Sequence, residues 1–438
     1  MLNWIWLGLV LGSIVYAAFT GRLEDLQTAL FDSAKSAVTL VIGLVGVMVF
    51  FLGLLRIAFD GGLRDAIARL LAPLLRRLFP EVPPDHPAMS AMVMNMASNM
   101  FGMGNAATPF GLKAMVELGR LNRHSGSASN AMVLFLAINT SAITILPPLG
   151  TIGVRAAAGS ADPFSIWIPT LIATTCSTTA AVLAYYALSR LPIFRQKDLP
   201  PEPEPAAATP PALDLPDVSV AEAGRPPMGN GRAALVGVVV LALGAALVLD
   251  FASLLGTGTL GDALKATARR WPLPLLIVGC LLVGVAGRVR VYDSMVEGAK
   301  EGLEVAARIV PYLVAILVAV GMFRASGALD DLLIPLLEPI MSPIGVPSEV
   351  LPMALLRPLS GSGAFGIMSE IVATHGPDSF IGLLTCTLQG STETTFYVLA
   401  LYLGAARIRD ARHTLLACLT GDVAGFFGAV VACHWFFG

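Results

Sequence analysis

Glu393 sits within an otherwise apolar stretch, in the run Gln389-Gly390-Ser391-Thr392-Glu393-Thr394-Thr395. An ionisable side chain at that depth in hydrocarbon is costly, and its default reading is a ligand contact or a proton-coupling carboxylate. Polar residues in direct succession cannot share one helical face, so the run predicts a local break in its helix. The earlier run Asn139-Thr140-Ser141-Ala142-Ile143-Thr144 predicts a second break. A third polar segment runs from Arg357 through Ser360, Gly361, Ser362 and Gly363 to Gly366, with Glu370 close behind. A guanidinium there must face protein, water, a headgroup or a ligand carboxylate or phosphate. Pairing with Glu370 or Glu393 purely to hold the fold is the structural alternative. Asp422, in LTGDVAGFF, is a further acid inside a span, open to proton sensing or to plain pairing with a neighbouring helix.

The fourth polar segment covers residues 89–118. It is apolar on average yet holds Asn95, Ser98, Asn99, Asn105, Thr108 and Pro109. It is too broken for an ordinary spanning helix, and irregular backbone at membrane depth survives only where protein or a water-filled cavity satisfies it. A re-entrant hairpin meets that need: a helix to Met100, a tip over residues 101–105 and a return helix after Pro109. The segment from Arg357 to Glu370 repeats the device. Helix ends at such tips present backbone donors and acceptors suited to small anions and cations. The methionines of the first hairpin read as packing.

The surrounding chain is membrane-like. Its 438 residues are 55% hydrophobic and only 13% charged, with a mean hydropathy of +0.76. Soluble domains carry about 25% charged residues. A formal charge of −2 without long basic runs argues against nucleic acid as a partner. The five cysteines lie in apolar segments with no CxxC pair and read as inert packing. No metal-ligand spacing, HExxH or GxxxxGK[ST] occurs, so no metal or other cofactor is expected beyond Na⁺ or H⁺ as a coupling ion. No nucleophile–base set points to an enzyme.

Nine apolar stretches of spanning length lie near 2–19, 36–58, 127–149, 164–188, 233–252, 272–287, 303–323, 379–402 and 413–436. The first lacks a basic residue before its core and reads as an anchor rather than a cleaved signal. A Pro/Ala/Glu tract, 191–232, reads as a cytoplasmic linker between a first repeat, 1–190, and a second, 233–438. Lys and Arg in short loops place the N-terminus in the cytoplasm and the C-terminus outside. The halves share an order of elements. Asp32-Ser33 matches Asp293-Ser294, and Gly62 and Asp65 match Gly327 and Asp330 within amphipathic runs expected to lie at the interface. Nine crossings put an odd number between the matched spans 36–58 and 303–323, which makes the repeat inverted. The expected fold is therefore an all-α polytopic membrane protein whose two inverted repeats each hold an interfacial helix, a re-entrant hairpin and a broken helix.

NMASNMFGMGNAATPFGLKAM resembles the spore maturation protein A family, and GSTETTFYVLALYLGA resembles spore maturation protein B. Together they resemble a natural fusion of the two, within the nucleoside-recognition or gate-domain group. That group is similar to the core of concentrative nucleoside transporters and to the gate of ferrous iron permeases. The resemblance implies a bacterial inner-membrane transporter core, usually oligomeric, with Na⁺ or H⁺ as the driving ion. By position it implies that Asn99, Asn105, Asn139, Thr140, Gln389, Ser391, Thr392 and Glu393 line a central substrate path. With Asn95, Ser98, Ser141, Arg357, Ser360, Ser362 and Thr394, these are the expected substrate-binding residues for a small polar solute. Glu393, Asp422 and Glu370 are the ion-coupling candidates. A non-transporting scaffold of envelope maturation and a lipid flippase are the other readings.

Overall fold

The computed structural model describes residues 2–101, 104–124, 126–195, 230–328 and 345–438, with isolated positions between 331 and 339. Among these residues regular structure is helical throughout. Residues 196–229 of the expected linker, most of the second amphipathic run and Asp330 lie outside the described residues, while positions 230–232 of that linker already belong to α9. The first half holds α1 (Leu2–Thr20), α2 (Leu23–Asp60), α3 (Leu63–Leu78), α4 (Pro87–Met100), α5 (Gly104–Leu121), α6 (Asn130–Thr140), α7 (Leu149–Ala157) and α8 (Trp167–Ser189). α9 (Asn230–Thr257), α10 (Leu260–Arg270) and α11 (Pro272–Ala286) follow. The second half holds α12 (Val291–Ala325), α13 (Leu351–Leu356), α14 (Gly361–His375), α15 (Phe380–Ser391), α16 (Thr395–Ala405) and α17 (Thr414–Phe437).

Among the described residues, four helices are long and apolar enough to cross a membrane: Leu23–Asp60, Trp167–Ser189, Gly231–Thr257 and Thr414–Phe437. α10 and α11, bent by 46° at Trp271, make a fifth if counted as one span. The stretch expected near 127–149 is one short helix, α6, followed by irregular backbone, and that near 379–402 is two short helices, α15 and α16. At 1.5 Å per residue, α15 covers about 18 Å and α16 about 16 Å, so neither half crosses a core of about 30 Å alone. The chain is a multi-pass membrane protein in which some crossings are made by interrupted helices.

The inversion is visible in the packing. Along α2 and α12, Gly53 meets Met295, Val49 meets Gly302 and Ser33 meets Gly321, so one number rises as the other falls. These matched helices are antiparallel over their whole length. α8 and α17 are also antiparallel: Ala181 and Ser177 lie against Gly421, and Ala173 lies against Gly428. The break that follows α6 runs antiparallel to α8, since Ser141 meets Thr178 and Thr144 meets Thr174. α17 runs antiparallel to α15 and α16, with Cys433 at Thr387 and Asp422 at Thr395. Three successive reversals leave the two broken helices opposed as well.

Local sequence explains the matched starts and stops. Gly62 and Gly327 follow the long helices of their repeats, and both adopt positive φ, 95° and 85°. Left-handed backbone is open to glycine and costs other residues roughly 1–2 kcal/mol. Ser129 caps α6 by accepting from the Met132 N–H at 3.2 Å, and Ser379 caps α15 by accepting from the Gly382 N–H at 3.0 Å. α3 is the expected amphipathic helix. It buries Ala68 and Leu75, exposes Leu70 and Leu74, and carries Arg76 and Arg77 in its last turn, where the helix dipole favours cations. The first hairpin departs from expectation at its return, which begins at Gly104 and takes Pro109 inside α5. Its methionines are core: Met89, Met92, Met94 and Met96 pack with Met115 and Met132.

Small residues set the closeness of the α2–α12 seam. A Cβ on Gly302 would stand 2.8 Å from Val49 Cα and 2.9 Å from the Met48 carbonyl oxygen, both backbone atoms that cannot swing away. Gly302→Ala should therefore lower the thermal midpoint of the detergent-solubilised protein, by a cost of about 1–3 kcal/mol. Gly244→Ala, where a Cβ meets nothing within 4 Å, should leave the midpoint unchanged.

Candidate functional site

The two interruptions meet. The Glu393 N–H donates to the Thr140 carbonyl at 2.8 Å, which joins the end of α6 to the gap between α15 and α16. Both breaks are narrower at their starts than the polar runs suggest. Asn139 and Thr140 are still helical, as are Gln389 and Ser391, and the irregular backbone covers 141–148 and 392–394. An interruption leaves N–H and C=O groups that must find partners inside protein. The hairpin tips supply them. In the first repeat the Met100 carbonyl accepts from the Ile145 N–H at 2.7 Å, and in the second the Pro358 carbonyl accepts from the Phe396 N–H at 3.0 Å. Each tip thus closes the break of its own repeat.

Arg357 does more of the same work. Its Nη1 donates to Thr394 Oγ1 at 3.2 Å, its Nη2 donates to the Thr392 carbonyl, and it lies 3.9 Å from a carboxylate oxygen of Glu393. The guanidinium is buried, whereas the Glu393 side chain is 44% accessible between buried neighbours. Ser360 caps α14 by accepting from the Gly363 N–H at 3.0 Å, and Ser362 beside it is exposed. Gly361 allows this tip to close on the break, since a Cβ there would lie 2.6 Å from Thr394 Oγ1.

The asparagines of the first repeat form a ladder. Asn99 donates to Asn139 Oδ1 at 2.9 Å, Asn139 donates to Asn95 Oδ1 at 2.7 Å, and Asn95 donates to the Ala107 carbonyl at 2.9 Å. Three buried amides thereby tie α4, α5 and α6 together. The Asn105 side chain lies outside the described residues. Ser98, Thr140, Ser141 and Ser391 hydroxyls bond back to carbonyls three or four residues earlier in their own helices. Thr392 is buried, with its methyl group lying against Gly425.

Three polar atoms near the crossing are buried without a hydrogen-bond partner: Arg357 Nε, Gln389 Oε1 and Asp422 Oδ1. The other Asp422 oxygen accepts from Thr395 Oγ1 at 2.8 Å. Glu370 is elsewhere. It lies three turns along α14 and pairs with Arg324 at 2.8 Å, with Thr374 donating to the same oxygen at 3.0 Å. Arg357, Glu393 and, through Thr395, Asp422 are therefore brought together, Gln389 lies in the last turn of α15, and Glu370 is held apart.

Two arginine clamps escaped the sequence reading. Arg155, on α7 and 0% exposed, donates to the Pro163, Asp162 and Pro377 carbonyls, to Ser160 and Ser165, and to Asp378 at 2.9 Å. It fixes the loop that starts α15 in the other repeat. Its counterpart, Arg412, follows α16 and donates to the Ala128 carbonyl at 3.0 Å and Asn130 Oδ1 at 2.9 Å, which fixes the loop that starts α6. An arginine within the apolar run LGTIGVRAA was the available signal, since intramembrane charge marks a buried partner. Burial alone would raise the Asp378 carboxyl. Hydrogen bonds from Ser160 and the Ala161 N–H, with the Arg155 guanidinium, outweigh burial and hold it below the usual 3.8.

Comparison with known proteins follows this geometry. The Gate family, described as nucleoside recognition, matches residues 41–156 and 306–409, about half of the chain, in two regions. Spore maturation protein A of Bacillus subtilis (strain 168) is 44% identical over 183 residues, covering 42% of this chain and 93% of that protein. Spore maturation protein B of the same organism is 47% identical over 169 residues, covering 38% of this chain and 93% of that protein. The pair of matches is consistent with a fusion of the two. Among solved structures, the Alcanivorax borkumensis YdaH transporter aligns over 99% of this chain and 97% of its own, at 16% identity and a TM-score of 0.39, too distant to bear on function.

Asn139→Ala strands the Asn95 carbonyl oxygen and the Asn99 amide, each worth about 1–3 kcal/mol when buried. It should lower the thermal midpoint strongly, while Ser362→Ala changes it little. Asp378→Asn should be less stable than the parent at neutral pH. A lowered carboxylate pKa stabilises above the ordinary value and is lost as pH falls through the lowered one, so the gap should close as pH drops below 3.8. Paired pH–stability curves check this.

Proposed function

Because the chain belongs to the Gate, or nucleoside recognition, family, we propose that it is a secondary transporter for a small polar solute, with its site at the crossing of the two interrupted helices. One observation carries this reading: buried, unpartnered polar atoms of Arg357 and Asp422 lie at the interruption that bears the accessible carboxylate of Glu393, and that of Gln389 lies in the last turn of the helix before it. Buried polar groups in native proteins are nearly always paired, and an unpaired set calls for a role. Leaving such atoms open costs stability, and a site that accepts and releases a solute requires it. Glu393 receives a cationic or hydroxyl group of the solute, and Arg357 holds the irregular strand while facing its anionic part. Asp422, with one oxygen held by Thr395 and the other open, is the candidate for H⁺ or Na⁺ coupling. The solute is anionic, zwitterionic or nucleoside-like.

The opposed repeats support alternating access, because a site between inverted halves faces either side when one rocks against the other. The expected orientation, with the N-terminus in the cytoplasm of a bacterial cell and assembly as a homo-oligomer, belongs to the same proposal. The scaffold reading rests on the Asn ladder, whose three amides satisfy one another and leave that half of the centre closed.

Uptake by proteoliposomes, scanned over polar solutes with and without Na⁺ and pH gradients, separates the two readings. Glu393→Gln should abolish uptake at unchanged assembly on gel filtration. Full uptake by that variant would remove Glu393 from the site, and a parent protein that moves no solute under any gradient would favour the scaffold.

A further inference from the structure

A second polar cleft, of about 330 Å³, opens where the end of α2 meets the start of α3 and the first turns of α12, with its Phe59 ring 5.5 Å from that of Phe101 at the first hairpin's tip. That volume falls within the range of small-ligand pockets, roughly 300–1,000 Å³. Its charged wall carries two arginines, Arg56 and Arg64, against three carboxylates, Asp60, Asp65 and Glu301. Arg56 is fully engaged: Nε donates to Asp60 at 3.1 Å and Nη1 to Glu301 at 2.5 Å, while Ser294 donates to Asp60 at 2.7 Å. Arg64 is different. Its guanidinium lies 4.8 Å over the Phe59 ring, and its Nε is sealed from solvent without a hydrogen-bond partner. Burying such a donor has a cost, and a turn of the guanidinium toward an acceptor in the cleft would remove it.

Position decides what kind of molecule can bring that acceptor. The apolar run of α2 ends at Arg56 and Asp60, and α3 turns away at Gly62 with Leu70 and Leu74 exposed, as an interfacial helix does. Leu52, Leu55 and Phe59 form the apolar wall of the cleft, and all three pack with the core cluster that holds Phe101. One negative charge in excess disfavours free phosphate or an anionic headgroup. A group that joins a phosphate to an ammonium satisfies both signs, with phosphate on Arg64 and ammonium among the carboxylates.

We infer that this cleft binds the phosphoethanolamine headgroup of a zwitterionic phospholipid in the cytoplasmic leaflet, which fastens α3 to the α2–α12 seam. This inference does not depend on the transport reading, because its readout is lipid retention.

The full chain, purified in mild detergent and exchanged into equimolar phosphatidylethanolamine, phosphatidylcholine and phosphatidylglycerol, tests it by native mass spectrometry. The parent should retain phosphatidylethanolamine at least tenfold over the other two. Arg64→Met should lose that preference while eluting as the parent does. Equal retention of the three lipids by the parent would overturn the assignment without recourse to any variant, as would an unchanged preference in Arg64→Met. Displacement of the lipid by an equal concentration of free phosphoethanolamine would overturn the lipid source and leave a soluble zwitterion as the ligand.

Discussion

The hydrogen bond from the Glu393 N–H to the Thr140 carbonyl spans the middle of the bundle and joins two helices that both stop there. Interrupting a helix at membrane depth strands backbone donors and acceptors that no lipid can satisfy. Most of the central architecture follows from that constraint. The breaks face each other, the Met100 and Pro358 carbonyls at the hairpin tips close them, and the Arg357 guanidinium occupies the carbonyl of Thr392. The re-entrant hairpins exist to bring polar backbone to the place where the helices lack it.

The repeats solve the same problem with different chemistry. The first uses three mutually bonded amides, neutral groups that cost little to bury once paired. The second uses an arginine beside an accessible glutamate, and leaves buried polar atoms of Arg357, Gln389 and Asp422 unpartnered. The order of elements is thus shared, while the buried arginine and its neighbouring acids belong to the second repeat.

Rigidity is distributed unevenly. Along α2 and α12, glycines bring backbones into contact, and close van der Waals packing is what holds helices together when lipid is as apolar as the side chains. The arginine clamps are reciprocal: Arg155 of the first repeat holds the start of α15, and Arg412 of the second holds the start of α6. Each interrupted helix is therefore anchored by the opposite repeat at its outer end and by its own hairpin at its inner end. α9, with no residue of its apolar window buried, lies outside this core.

Residue type and order alone determined the helical class, the repeat and the location of the breaks. Hydrophobic run length reports membrane burial directly, and successive polar residues such as Gln389 to Thr395 cannot lie on one face of a helix. The matched glycines at 62 and 327 were legible because left-handed backbone restricts the residue type. Partner choice was not legible. Whether Glu370 meets Arg357 or Arg324, whether Asn95, Asn99 and Asn139 face a solute or one another, and that Arg155 reaches Asp378 all depend on which helices lie side by side. Those contacts join residues as much as 223 positions apart, and only the tertiary structure sets them, because a side chain's hydrogen bonds are decided by what packing brings within about 3 Å.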